Sequence, residues 1–367
     1  CRRLGKTMRA DLPSLLPLIC PCCRHLSARG RELYSLSVGE VLRSTGGEDD
    51  GTPEDIEEGI LVCDNPSCQR RYPIIAGIPV VLPDLTGFAS KQLLALSCFH
   101  EPETLATFAA QGPDDAALPR MLEYLSIYLD AHFGDYAIPA PDGPEPGCGG
   151  TQLWHALSGC NAAPVERAIE LGCGVGRGLH ILAEGAELTV GVELNFAALL
   201  YARWILRGET VRYARRTSGR HYQPASIHAP ARSASAVQLV CGDALDPPLA
   251  PDSFQRVASL NVMDAVQSAH QHLSVVDGLC VPGGEVVLSS PFNWQSGIVA
   301  EDGRLDAADP AQLLHDMLQS GRGLLSGYAI SESRELRWRL RRDGRSAVSY
   351  FTHYLRAHKR GQLPRPT

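Results

Sequence analysis

Short apolar runs alternate with amphipathic stretches across the second half of the chain. Ala168 to Leu171 predicts a buried strand. A turn with glycines at 172, 174, 176 and 178 follows, then a helix from about Arg177 to Glu184. A second apolar run, Leu188 to Val192, ends on Glu193, and a helix from Asn195 to Arg207 comes next. Three more strands are predicted at Val237 to Val240, Arg256 to Leu260 and Glu285 to Ser289, with a helix from His270 to Cys280 and a turn at Pro282-Gly283-Gly284. Strands alternating with helices imply an α/β fold built on a parallel sheet. At the chain's end, Glu335 to Arg342 and Ala347 to His358 flank Asp343-Gly344, a hairpin signal. The arginines at 334, 337, 339, 341, 342 and 345 read as the solvated face of an edge strand.

The first half is patterned differently. Residues 70–84 form an apolar run punctuated by Pro73, Gly77 and Pro79, which suits a strand that turns and re-enters a small sheet. Residues 85–163 carry three stretches with helical spacing: Lys91 to Phe99, Pro102 to Ala110 and Leu118 to Phe133. Residues 137–150 read as a Pro/Gly linker or a lid hinge, and Tyr136, Trp154 and His155 are candidates for a pocket beneath it. The pattern divides the chain into residues 1–84, 85–163 and 164–367.

Composition changes this picture little. The chain has 367 residues, 44% hydrophobic and 20% charged, as in ordinary globular proteins. No run approaches a membrane span of roughly 18 apolar residues, and the short apolar stretch near the N-terminus is broken by Pro13 and Pro17, so it is not read as a signal peptide. The net charge of −7 is carried by the segment from Glu48 to Glu58, which holds seven acids and no base and reads as a solvated loop. Without it the chain is formally neutral, so the overall charge does not call for a polyanionic partner. One basic segment stands out. Residues 212–236 contain five arginines, two histidines and no acid, interleaved with Tyr213 and Tyr222. Such a loop suits RNA phosphates and bases, or closure over a carboxylated small molecule, or plain solvation.

Twelve cysteines are too sparse for a disulfide scaffold. Four fall in two close pairs, Cys20 with Cys23 and Cys63 with Cys68. Two such knuckles give four thiolates for tetrahedral zinc, with Cys22 as a spare, and point to a reducing, cytoplasmic compartment. The closed sulfur shell makes that zinc structural.

The unit from Glu166 to Asn195 carries the other chemistry. Glycines let a backbone approach a ligand closely, and an acid after the second strand can accept ribose hydroxyls. Gly172, Gly174 and Gly176 are spaced too tightly for a dinucleotide site, and Glu170 would repel a pyrophosphate but attract a cationic amino-acid group. The run ELGCGVGR resembles the first motif of the class I S-adenosylmethionine-dependent methyltransferases. The resemblance implies a Rossmann-like seven-stranded sheet, with Glu170 facing the methionine portion, Glu193 and Leu194 at the ribose, and Asp243 and Ala244 at the adenine. The cysteine pairs with YPI-x-x-GIP resemble the zinc ribbon that, as a separate subunit, activates tRNA, rRNA and release-factor methyltransferases. The run NVMDAV…PGGEVVLSSPFNW resembles the methyltransferase domain of ovothiol biosynthesis, which methylates an imidazole nitrogen of mercaptohistidine. That likeness places Asn261, Asp264, Ser290, Pro291, Phe292 and Trp294 around the substrate, with Asp264 and Asn261 catalytic and Asn261 also at the cofactor. The expected function is N-methylation of a small imidazole or thiol-histidine substrate. The alternatives are a methyltransferase of RNA or a translation factor that grips its substrate through the ribbon and the basic loop, or a non-catalytic cofactor-binding partner.

Overall fold

The computed structural model describes residues 8–9, 16–26, 33–45, 55–96, 101–111, 115–139, 148–232, 237–321 and 326–360. The N-terminal part holds β1 (Met8–Arg9), α1 (Pro21–Leu26), β2 (Leu36–Thr45), β3 (Asp55–Cys63), β4 (Arg71–Ile75) and β5 (Ile78–Pro79). These strands form one small antiparallel sheet in which β3 pairs with β1, β2 and β4. Gly77 at φ 70° makes the turn between β4 and β5, where the punctuated apolar run had predicted one. Four helices follow: α2 (Leu85–Leu96), α3 (Pro102–Gln111), α4 (Ala117–Phe133) and α5 (Thr151–Ser158).

The rest is a wound α/β unit: β6 (Val165–Leu171), α6 (Arg177–Leu182), β7 (Ala186–Glu193), α7 (Phe196–Leu206), β8 (Val211–Ser218), β9 (His221–Ile227), β10 (Val237–Cys241), β11 (Phe254–Leu260), α8 (Ala269–Leu279), β12 (Cys280–Ser290), α9 (Pro310–Ser320), β13 (Tyr328–Arg341) and β14 (Ala347–Lys359). Seven strands form one sheet in the order β10-β7-β6-β11-β12-β14-β13. The first five run parallel, and β14 pairs antiparallel with both β12 and β13. This is the class I methyltransferase sheet. The chain enters at β6, in the middle, and winds outward to both sides. That leaves a crevice at the carboxyl ends of β6, β7 and β11, the place where open α/β sheets bind ligands.

Local chemistry sets the element ends. Asn195 caps α7 by accepting from the Ala198 N–H at 3.3 Å. Asp309 caps α9 ahead of Pro310, and Gly321 ends that helix at φ 65°. Asp343 Oδ1 accepts from the N–H groups of Arg345 and Ser346, both at 2.7 Å, which closes the terminal hairpin. The Pro282–Gly284 stretch is not a separate turn. It lies within β12, where the pairing jumps from Phe254↔Cys280 to Arg256↔Glu285. Arg256, 1% exposed, is held there by Glu285 at 2.7 Å and by the carbonyls of Cys160 and Ala163. A guanidinium buried this deeply is tolerable because its charge is paired and its Nε and Nη2 are bonded, although Nη1 is left without a partner.

Two sequence expectations change. The basic segment 212–236 is not a free loop, because residues 211–227 fold into the β8–β9 hairpin. Four of its five arginines are already paired: Arg212 with Glu101 and Glu103, Arg215 with Asp130, Arg216 with Glu123, and Arg232 with Glu184. Tyr213 is buried in the cluster formed with α4 and α7. Of the acidic segment, residues 48–54 lie outside the described residues. Asp55 and Glu57 are buried on β3, and Glu57 pairs with Arg43 at 3.0 Å and with Arg203 of α7 at 3.5 Å. No helix among the described residues is long and apolar enough to cross a membrane.

The small sheet is built onto the large one. Val80 bridges Cys241 in parallel beside β10, the edge strand, with Val81 N–H donating to the Cys241 carbonyl at 3.0 Å. Leu16, Leu18 and Tyr72 share one buried cluster with Ile169, Val192 and Leu249. The N-terminal sheet thus has no separate core and covers an edge that would otherwise expose unpaired backbone groups.

Candidate active site

A cavity of about 600 Å³ opens at the carboxyl ends of the central strands. Its floor is lined by Glu170, Gly172, Gly174, Glu193, Leu194, Asp243, Ala244 and Asn261. The sequence had assigned all eight to the cofactor, and they come from four different strand ends.

Each of the three motif glycines has its own reason. Gly172 sits at φ 70°, and a Cβ there would lie 2.4 Å from Val262. Gly174, at φ 53°, faces the cavity; a Cβ would meet only His132 and Tyr124, at 3.8 and 3.9 Å, and would occupy space that is otherwise open. Gly176 does not line the cavity. A Cβ at that position would lie 2.9 Å from Ala202, so this glycine lets α7 pack close to the turn.

Glu170 is 2% exposed and one of its oxygens, Oε2, is buried without a hydrogen-bond partner. Its carboxyl pKa is raised well above the usual range, chiefly by burial, with the nearby Glu193 adding to the effect. Gly178 makes room for it: a Cβ there would lie 2.2 Å from Oε1. A buried carboxyl with a spare oxygen suits a cationic group. Glu193 is anchored by the N–H groups of Gly174 at 3.0 Å and Asn195 at 2.8 Å. Asp243 accepts from the Leu245 N–H at 2.8 Å, which fixes the next loop. These groups fit the amino-acid end, ribose and adenine of S-adenosylmethionine.

Asn261 stands at the end of β11 at φ 57°, a left-handed conformation that asparagine tolerates. Its Oδ1 accepts from Ser289 Oγ at 3.0 Å and Thr352 Oγ1 at 2.6 Å, and its Nδ2 is a buried donor without a partner on the cavity wall. The remaining sequence candidates lie elsewhere. Asp264 is not on the lining. Its carboxylate accepts from Ser290 Oγ at 3.3 Å and from the Asn293 N–H at 3.2 Å, so it ties down the Ser290–Asn293 turn. Burial pushes its pKa up to about 6. Ser290, Pro291, Phe292 and Trp294 are also absent from the lining; Phe292 stacks against Trp294 and His353, and the two residues that follow the turn onto the wall are Gln295 and Ile298.

The upper wall was largely missed by sequence reasoning. Tyr124, Tyr128 and His132 recur every fourth residue along one face of α4, and Trp154 of α5 and Trp338 of β13 complete an aromatic enclosure. Of the three residues suggested around the hinge, Trp154 lines the cavity, whereas Tyr136 covers the Arg177 guanidinium and His155 is exposed. The i, i+4, i+8 spacing of Tyr124, Tyr128 and His132 was visible in the sequence but reads equally as core packing.

In the N-terminal part, the sulfurs of Cys20, Cys23, Cys63 and Cys68 lie within 4.8 Å of one another. Cys22 is outside this group and packs against the core. Asn65 donates from Nδ2 to Cys23 Sγ at 3.3 Å and from its backbone N–H to Cys63 Sγ at 3.5 Å. Four sulfurs with N–H donors around them fit a tetrahedral zinc. Next to Cys23, Arg24 reaches the loop beyond Asp243: it pairs with Asp246 at 2.6 Å and donates to the Pro247 carbonyl at 3.0 Å. The Ile19 N–H donates to the Pro248 carbonyl at 2.9 Å. The cysteine cluster is thereby braced against the loop that carries Asp243 and Ala244.

Residues 169–288 match the family described as methyltransferase domain. No curated protein matches the chain. Among solved structures, the YcgJ protein from Bacillus subtilis is 10% identical, covers 58% of this chain and 100% of its own, and has a TM-score of 0.40. Magnesium protoporphyrin IX methyltransferase from Synechocystis is 15% identical over 57% of this chain and 80% of its own, at a TM-score of 0.38. A chain from the complex of the Haloferax volcanii Trm112 methyltransferase activator with a methyltransferase is 16% identical over 57% of this chain and 92% of its own, at 0.37.

Proposed function

We propose that the protein is an S-adenosylmethionine-dependent N-methyltransferase acting on a small imidazole-type acceptor, with a structural zinc in its N-terminal ribbon. One observation carries the first part: Glu170, with its unpartnered oxygen, lies on the same cavity floor as Gly174, Glu193 and Asp243. A cation, a ribose and an adenine have complementary partners there. When bound, S-adenosylmethionine supplies an electrophilic methyl group on a sulfonium.

The protein's own contribution is binding, orientation and exclusion of water. Glu170 holds the ammonium end, Glu193 and Leu194 the ribose, and Asp243 and Ala244 the adenine. Asn261 presents Nδ2 to the acceptor and is fixed by the hydroxyls of Ser289 and Thr352. Asp264 acts at one remove, by setting the turn that leads to Gln295. Enclosure by aromatic rings favours a small acceptor over a macromolecule, and the internal pairing of four of the five arginines of residues 212–232 removes most of the charge that had suggested an RNA grip. Four buried or half-buried cysteines in one tetrahedral reach support the zinc.

A labelled-methyl transfer assay against small imidazoles and thiols, total tRNA and cell-extract protein tests this reading. Label in a small imidazole without macromolecules is expected; label only in tRNA or protein would overturn the acceptor class.

A further inference from the structure

The terminal hairpin carries a histidine pair that the methyl-transfer reading does not use. His353 of β14 stands opposite Glu335 of β13 in the strand register, and Ser333 lies two residues further along the same face. The helix α9 packs on that face, where its Leu314 and Leu318 share a buried cluster with Leu355, and it brings in His315. Three donor atoms meet there. His315 Nε2 lies 3.1 Å from His353 Nε2 and 3.0 Å from Ser333 Oγ, and Ser333 Oγ lies 3.5 Å from His353 Nε2. Ser333 is exposed and His315 half-buried, so the group sits at the surface, within reach of an ion from solvent.

The triangle has the size of one face of a tetrahedral site. Ligands held about 2.0–2.1 Å from a zinc-sized ion stand about 3.3 Å apart, and the three edges here are 3.0, 3.1 and 3.5 Å. His353 is also oriented as a ligand would be. Its Nδ1 is 2.6 Å from Glu335 Oε1, so the proton of the neutral ring is held on Nδ1 and the lone pair is on Nε2. A carboxylate behind the imidazole is the usual outer support of a metal-binding histidine. Phe292 packs on the His353 ring at 6.3 Å and 33°, which limits its rotation. Without an ion, the two rings hold together when His315 carries its proton on Nε2. Moving that proton to Nδ1 turns both facing nitrogens into ligands.

We infer that His315, His353 and Ser333 form a second metal site, for a divalent first-row transition cation of the zinc, cobalt or nickel class. The two imidazoles are the strong ligands, the Ser333 hydroxyl takes a weaker third position, and water takes the fourth. The donor set separates this site from the cysteine cluster: imidazole suits borderline ions, whereas four thiolates select softer ones and zinc. Calcium and magnesium are disfavoured, because they require oxygen ligands. An ion bound there clips α9 to the terminal hairpin, independently of methyl donor and acceptor.

The test uses the untagged full chain, given one equivalent of zinc for its cysteines and then titrated with Co²⁺. Wild type is expected to take up one further equivalent, with the visible absorption of a nitrogen- and oxygen-ligated cobalt and no thiolate-to-metal charge-transfer band. His315→Ala, a change that a helix accepts readily, should remove that equivalent and leave the zinc in place. Glu335→Gln should weaken cobalt binding by roughly ten- to a hundredfold, as losing an outer-shell partner does. His155→Ala, at an exposed histidine elsewhere, should change nothing. No further uptake by wild type, uptake that persists in His315→Ala, or an equal loss in His155→Ala would each overturn the inference. If the cysteines instead fail to hold zinc, cobalt enters them and the charge-transfer band appears. That result would overturn the structural-zinc reading alone, because the difference between wild type and His315→Ala still counts the histidine site. The cobalt spectrum of wild type needs no variant and decides the ligand type even if one misfolds.

Discussion

Glu170 shows how one residue is tuned by its surroundings. Its burial raises the carboxyl pKa, so in the empty cavity it keeps its proton to higher pH than an exposed glutamate. A ligand ammonium favours the ionised form, so binding expels that proton. Affinity for S-adenosylhomocysteine therefore rises with pH until the empty-site carboxyl ionises on its own. Glu170→Gln should weaken binding by roughly ten- to a hundredfold, the range of a hydrogen bond to a charged group, and should abolish the pH dependence. Calorimetry in two buffers of different ionisation enthalpy reads the proton release directly; release that persists in the variant would sink the assignment. Gly178 belongs to the same device, because any larger residue there would push the carboxylate aside.

Among the elements, the loop from Asp243 to Leu249 is held from two sides. Asp243 fixes its start by accepting from Leu245, and the N-terminal part fixes its far end through Arg24, Leu18 and Ile19. Arg24 and Asp246 are about three-quarters buried, so this pair is less screened than a surface one. Arg24→Ala should lower affinity for S-adenosylhomocysteine roughly three- to tenfold, as loosening a positioning contact does, with metal content unchanged. A variant with unaltered affinity would show that the N-terminal part and the Asp243–Leu249 loop are independent. The α4 helix illustrates the opposite situation: one face carries Tyr128 and His132 into the cavity, while Asp130 on another takes the charges of Arg215 and Arg341. Local pattern fixed that α4 is a helix, but it could not say which face would meet a ligand.

For the whole molecule, the N-terminal sheet is integral rather than appended. It shares a core cluster with the large sheet, covers the β10 edge and contributes Glu57 to a buried pair with Arg203. Removing one partner of such a pair costs several kcal/mol because the other charge is left buried. Zinc is expected at one equivalent per chain by elemental analysis. Stripping it, or replacing Cys63 by Ser, should lower the thermal midpoint of the entire chain in one transition, because a structural zinc's binding energy is folding energy. A separate low-temperature transition, with the seven-stranded sheet unaffected, would show that the two sheets are not thermodynamically joined.

The division between what was legible and what was not follows from distance along the chain. The central strands, the glycine turn and the acids at 170, 193 and 243 were readable because each depends on neighbours within a few residues: an apolar run, a turn requiring positive φ, an acid one step past a strand. The two cysteine knuckles were readable for the same reason. The fate of the arginines between 212 and 232 was not, since their partners stand 48 to 111 residues away in sequence. Nor was the use of Asp264 as a tie for a turn rather than a cavity group, which depends on Ser290 and Asn293. The aromatic wall combines residues 128, 132, 154 and 338, and Asn261 is oriented by Ser289 and Thr352 from two other strands. Sequence alone determined that a parallel sheet presents a glycine seat and three acids at its carboxyl edge, because local backbone sterics and hydrophobic periodicity suffice for that. Which side chains close over the seat, and which charges are left free to meet a substrate, was decided only when packing brought distant elements within hydrogen-bond reach.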